Sequence, residues 1–258
     1  MPDASAQTWS WAAEFRAFTL FHLVVALICA TLIVGSAVLG RRWRGGPREK
    51  TLRLTWVWAT IGWQAFAVVW WVLPANFDPS TSLPLHLCDL AAWVAPLALL
   101  TRDKRLRAIL YFWGIGLSTQ AFFTPVLRSG YGTYEFWLFW VGHTQIVGSA
   151  VYDVAVLGYR PTFAHWWRVV VFNVALVGVV VVVNELVVPA VFGGPGANYW
   201  YVGRTLPAAK TLLNELGPWP MRAVWLALLG IAATWLAWAP WGVAGWIARR
   251  RAPDRADR

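Results

Sequence analysis

The chain has 258 residues, 59% of them hydrophobic and only 13% charged, with a mean hydropathy of +0.51, which excludes a soluble domain. Apolar runs of about 17–25 residues recur, each long enough to cross a bilayer core, and their unbroken apolarity excludes a β-barrel, whose strands alternate over about 10 residues. The net charge of +10 is read as a membrane-topology signal rather than a nucleic-acid footprint.

The predicted fold is all-α: one integral membrane domain over residues 1–258, a polytopic bundle of seven transmembrane helices. The spans fall at about 18–39, 55–73, 84–100, 107–124, 136–157, 167–189 and 222–247. The first follows Glu14 and Arg16 with no basic stretch before it, and its length of about 22 residues marks a span, not a cleavable signal. It carries Cys29, read as a small buried hydrophobe. The link 40–54 holds Arg41, Arg42, Arg44, Arg48, Lys50 and Arg53, and the link 101–106 holds Arg102, Lys104 and Arg105, with Arg107 at its edge. Arg160 and Arg168 flank the link 158–166, and Arg249, Arg250, Arg251, Arg255 and Arg258 lie in the tail. Together these segments carry 17 of the 22 Lys and Arg residues. Arg16, Arg128, Arg204, Lys210 and Arg222 are left on the alternate side. This asymmetry places the N-terminus outside and the C-terminus in the cytoplasm. The expected location is multi-pass in the cell membrane, with membrane lipids as partners and no nucleic acid.

The third span opens on Pro84-Leu85-His86-Leu87-Cys88-Asp89. The chain has only 2 Cys and 4 His, so this segment concentrates scarce chemistry where burying polar groups is costly. Pro84 is expected near the first helical position, with Cys88 one turn in, where the field of a helix N-terminus favours a thiolate. The fourth span ends on Gln120 and Thr124, which with Gly116 form an i, i+4 stripe. The fifth places His143 about 10 Å below its boundary at 1.5 Å per residue. The sixth leaves near Asn184 and Glu185. A long connection, about 190–221, then carries Gly193-Gly194-Pro195-Gly196 and the aromatic run Asn198-Tyr199-Trp200-Tyr201. A loop this aromatic is expected on the membrane surface or over a site. In the predicted topology His86, Cys88, Asp89, Gln120, Thr124, His143, Asn184 and Asn198 all fall at one level of the membrane.

Each has an ordinary structural reading. Buried Cys is often inert, a lone intramembrane His or Gln can join helices by a hydrogen bond, Thr124 can bond its own i−4 carbonyl, and Asp89 can cap or pair with His86. Their shared depth favours a site, because residues that only glue helices scatter in depth. Asp153 and Asn173 have no partner that the sequence names. A thiol and an imidazole are the minimum for nucleophilic acyl transfer, with Gln120 or Asn198 as donors to an oxyanion and His86 as a rival base or headgroup contact. A metal site from His86, Cys88, Asp89 and His143 is disfavoured, because a helix start points these ligands to different faces. No metal and no cofactor is expected.

The segments Leu83-Pro84-Leu85-His86-Leu87-Cys88-Asp89-Leu90, Tyr111-Phe112-Trp113-Gly114 and Gln120-Ala121-Phe122-Phe123-Thr124-Pro125, followed by His143 and Asn198-Tyr199, resemble the YwaF-type bacterial integral membrane proteins. These are grouped with the eukaryotic transmembrane protein 164 family. The likeness covers roughly residues 50–240. It implies a cysteine-centred acyltransferase that moves a fatty acyl chain to or from a (lyso)phospholipid, with Cys88 matching the nucleophile and His143 the base. Substrate contacts are then expected from His86, Asp89, Gln120, Thr124, Asn184, Asn198 and Tyr199. Where the resemblance leads one to expect Lys-Pro after the Asn-Tyr motif, this chain has Arg204-Thr205-Leu206-Pro207. A more distant likeness, to androgen-induced-gene-type threonine hydrolases, makes lipid-ester hydrolysis the alternative. A non-enzymatic transporter or receptor of a small amphiphile, using the same groups as a pocket, also remains open.

Overall fold

The computed structural model describes residues 14–205 and 215–250. Pro207, Lys210, Arg251, Arg255 and Arg258 lie outside the described residues. Among those described, every regular element is helical, and extended backbone pairs once, in an antiparallel bridge between Glu14 and Ser129. Seven helical segments follow one another: α1 Leu20–Arg42, α2 Pro47–Val72, α3 Leu87–Thr101, α4 Lys104–Tyr111, α5 Tyr134–Ala155, α6 Phe163–Phe192 and α7 Met221–Arg250. α4 runs on through a π-helical stretch, Phe112–Leu117, and a 3-10 turn, Ser118–Phe122; α6 contains a second π-helical stretch at Val183–Val187. Three helices, α1, α6 and α7, are long and apolar enough to cross a membrane on length and composition alone.

Two boundaries differ from the sequence reading for local reasons. α2 begins at Pro47 rather than near residue 55, because Gly46 is an extended N-cap and Pro47 occupies the first turn, where its missing N–H costs nothing. The link 40–54 therefore shrinks to a turn around Trp43–Gly46, and Arg48, Lys50 and Arg53 are helical. α3 begins at Leu87, with His86 as its extended N-cap (φ −63°, ψ 152°). Pro84 thus precedes the helix instead of occupying its first position, and Cys88 sits in the first turn.

α5 is the hub, packed against α1, α2, α3, α4 and the π-helical stretch. Its small residues permit close approach: a Cβ on Gly148 would lie 2.6 Å from the Trp56 ring, and Trp56 Nε1 donates to Ser149 Oγ at 3.0 Å. α7 is the opposite case. Only 6% of its most apolar window is buried, and Val224, Leu228, Leu229, Trp235, Leu236 and Val243 face outward. An apolar belt on this scale is what a bilayer covers and water does not tolerate.

Where α2 and α4 begin and α5 ends, the buried charges are paired. Arg107 Nε donates to both carboxylate oxygens of Asp153 at 2.9 Å, and Arg107 also reaches the Leu157 carbonyl. Arg53 pairs with Glu49 at 3.0 Å and donates to the Leu99 carbonyl, while the Tyr152 hydroxyl donates to Glu49 at 3.0 Å. Asp153 thus has a partner that the sequence did not name. So has Asn173, whose Oδ1 accepts from Trp113 Nε1 at 2.8 Å.

Candidate functional site

At the other end of the bundle, α2, α3, the continuation of α4, α5, α6 and α7 enclose a cavity of ≈ 860 Å³, within the about 300–1,000 Å³ usual for small-molecule sites. Val170, Val174 and Val177 of α6 and Leu226, Leu229 and Ile231 of α7 give it apolar walls. Cys88 and His143, from α3 and α5, both face it, as do His86, Asp89, Gln120 and Thr124.

Cys88 is a free thiol in the first turn of α3, among backbone N–H groups that have no intrahelical acceptor. His143 lies two turns into α5. Its Nδ1 is 2.8 Å from the Phe139 carbonyl oxygen. A carbonyl can only accept, so Nδ1 carries a proton, and in the neutral imidazole Nε2 is then the nitrogen with the free lone pair. The Phe139 ring, with centroids 4.4 Å apart, holds the imidazole from one side. The helix therefore fixes the tautomer of a neutral base.

His86 is outside the helical spiral, so the roughly 200° separation of residues two apart on a helix does not apply to it. Its ring lies 5.1 Å from Tyr199 and 5.7 Å from Tyr201. Asp89 caps α3, its Oδ2 accepting from the His86 N–H at 3.1 Å. Gly116, Gln120 and Thr124 all reach the cavity, although not as an α-helical stripe: they fall in the π stretch, the 3-10 turn and just beyond it. Thr124 Oγ1 lies 3.3 Å from both the carbonyl and the side-chain oxygen of Gln120.

Asn184, Asn198 and Tyr199 sit off this wall. Asn184 Nδ2 donates to the Tyr199 carbonyl at 2.9 Å and its Oδ1 accepts from the Tyr199 N–H at 3.0 Å. The Tyr199 hydroxyl donates to Pro79 O and accepts from Leu83 N–H; burial pushes this phenol up to about 12, so it stays a neutral donor. Asn198 Oδ1 accepts from Gly203 N–H, and Asn198 lines a separate pocket with Asp78 and the 193–196 turn. These side chains hold the loop in place. The loop in turn covers the cavity with Trp200, Tyr201 and Val202; Trp200 Nε1 donates to Leu85 O at 2.8 Å. Trp200 and Tyr201 both take positive φ, 59° and 60°, a conformation that costs about 1–3 kcal/mol per non-glycine residue and persists only where surroundings over-determine it.

The model of the TMEM164 family matches residues 16–238. The chain belongs to the TMEM164 family. Neither the curated proteins nor the solved structures contain a match to it. The stretch that matches the TMEM164 family runs from before α1 to past the middle of α7, so every wall of the cavity lies inside it.

Several polar residues on the cavity wall were not picked out as site residues from the sequence, among them Gln64, Ser118, Arg128 and Glu135. Gln64 had a signal, being an amide inside a predicted span. Ser118 had none. Arg128 was read only as a charge beside a span, and Glu135 was not singled out. Among the described residues no three His, Cys, Asp or Glu side chains converge on a possible metal position.

Proposed function

We propose that this protein is an intramembrane acyltransferase that moves a fatty acyl chain to or from a (lyso)phospholipid, with Cys88 as nucleophile and His143 as base. The observation that carries the proposal is the opening of both residues, from two different helices, onto one largely apolar cavity. The fixed tautomer of His143 adds to it. In the reaction the Cys88 sulfur and His143 Nε2 approach to about 3 Å. Nε2 takes the thiol proton, sulfur attacks the donor's acyl carbonyl, and the departing alcohol leaves with that proton, giving a thioester at Cys88. A lysophospholipid hydroxyl then yields its proton to Nε2 and attacks the thioester, releasing the thiol. Water in place of the lysophospholipid makes the same site a hydrolase.

The same proposal includes seven membrane crossings, one per helical segment, with the N-terminus outside and the C-terminus in the cytoplasm. A cysteine introduced at Lys104 is then inaccessible to an impermeant maleimide added outside, and one at Thr205 is accessible; the reverse pattern rejects the orientation. For the chemistry, purified protein given an acyl-labelled phospholipid accumulates label on Cys88. Cys88→Ser and His143→Gln abolish transfer to lysophospholipid while the protein remains folded. Label released as free fatty acid identifies hydrolysis. Transfer that survives Cys88→Ser rejects the Cys88 mechanism.

A further inference from the structure

Buried polar atoms in folded proteins nearly always have hydrogen-bond partners, and the exceptions call for an explanation. Among the described residues the unpartnered buried side-chain atoms are Gln64 Nε2, Ser118 Oγ and three tryptophan indoles, of Trp63, Trp70 and Trp140. The indoles are off the cavity wall. Gln64 and Ser118 are on it, and each is only 5% exposed. Gln64 comes from α2, which packs against α3, and Ser118 opens the 3-10 turn directly after the π-helical stretch, which also packs against α3. Both thus face the cavity onto which Cys88 opens.

The chemistry of the two atoms narrows what they take. An amide nitrogen only donates, and a hydroxyl can donate as well, so the complementary atom is an acceptor with no proton of its own. The Asp89 carboxylate lies beside the Gln64 amide, though the two do not complete a hydrogen bond. The cavity around them is largely apolar, and burying an ion among such walls is costly. That disfavours a phosphate or a free carboxylate and leaves a neutral carbonyl oxygen.

We propose that Gln64 and Ser118 form a carbonyl-oxygen site, donating to the ester or thioester carbonyl of an acyl lipid held beside Cys88. The assignment rests on the acyl-transfer reading for its substrate class and deepens it: the two donors set the carbonyl in position and polarise it for attack. It also explains why two donors are left unpaired in an otherwise packed wall. The stability they cost the empty protein is recovered when an acyl group binds.

The test compares a long-chain acyl ester of glycerol with its ether-linked twin, which lacks only the carbonyl. Binding is measured to detergent-solubilised protein carrying Cys88→Ala, so that no chemistry follows. The parent binds the ester more tightly than the ether. Gln64→Leu and Ser118→Ala each reduce that preference by about fivefold, leave ether binding unchanged, and keep or raise the thermal midpoint, since each removes an unsatisfied buried group. An absent ester preference in the parent overturns the site, as do equal losses for both lipids or a lowered midpoint, which mark a structural role. The two proposals fail separately. An intact ester preference with no acyl adduct at Cys88 in the native chain leaves the site standing and rejects transfer. Transfer at unaltered rate in both variants rejects the site alone.

Discussion

At one end of the bundle Arg107 lies between both oxygens of Asp153, and Glu49 is shared by Arg53 and the Tyr152 hydroxyl. At the other, Gln64 and Ser118 face a cavity with no partner, and Cys88 and His143 open onto the same space. The first arrangement closes every polar group on another and leaves nothing to offer a ligand. The second leaves capacity unused, which costs stability and is the usual mark of a surface meant to receive something. α5 belongs to both, since Asp153 and Tyr152 lie near its end and His143 in its first half. Its packed middle, Ile146 to Ala150, separates a clamp from a receptive chamber.

The comparison breaks most sharply if the clamp is opened. With side chains 14% and 2% exposed, Arg107 and Asp153 are a buried pair, and removing one partner leaves an uncompensated charge. Asp153→Ala is expected to destabilise the protein by about 3–5 kcal/mol. The double replacement Arg107→Met with Asp153→Leu removes both charges and recovers most of that loss. Denaturant or thermal unfolding in a fixed detergent measures both. If the single variant is as stable as the double, the pair is not the clamp described here.

The loop over the cavity sharpens the contrast, because it belongs to the receptive end yet is held as firmly as the clamp. Asn184 is fully buried and satisfies both the N–H and the carbonyl of Tyr199. Asn184→Ala leaves the Tyr199 N–H unpaired and its carbonyl with only the 3.4 Å bond from Val202 N–H, at a cost of about 1–3 kcal/mol. The loss is local: hydrogen exchange at residues 199–203 accelerates while protection in α5 is unchanged. Unaltered exchange at Tyr199 would show that something other than Asn184 holds the loop.

The same residues show what a sequence can and cannot disclose. The apolar runs of α1, α6 and α7 are unmistakable, and Cys88 and His143 stand out because their residue types are scarce. The start of α2 was hidden because Arg48, Glu49 and Lys50 look like a charged link, whereas in the fold Glu49 turns inward to Arg53. Asp153 seemed partnerless because Arg107 is 46 residues away and was counted among the topology charges. Asn184, Asn198 and Tyr199 have the composition of a binding site, but their hydrogen bonds go to the loop and, through the Tyr199 hydroxyl, to the segment before α3, a matter of backbone path rather than residue type. The converse holds for Gln64 and Ser118. A polar residue in an apolar run says that it needs a partner, and only the packed structure says that it lacks one.

The smallest expected effect lies at the clamp end, outside the hydrophobic spans. Asp103 is the N-cap of α4, its carboxylate accepting from Leu106 N–H at 3.1 Å and from Arg105 N–H at 2.9 Å. These two backbone bonds hold the carboxyl below its ordinary range. Because the folded value is the lower one, the unfolded chain takes up the proton first as pH falls. The charged cap's contribution is therefore complete above the unfolded value of about 3.9 and fades as pH drops through the folded one. Asn caps nearly as well but does not titrate. The midpoint difference between the native chain and Asp103→Asn is thus expected to be constant from neutral pH down to about 5 and to shift against the native chain below that. A difference that stays flat into the acid range would mean that the cap works through geometry alone, and that this exposed carboxylate owes nothing to its charge.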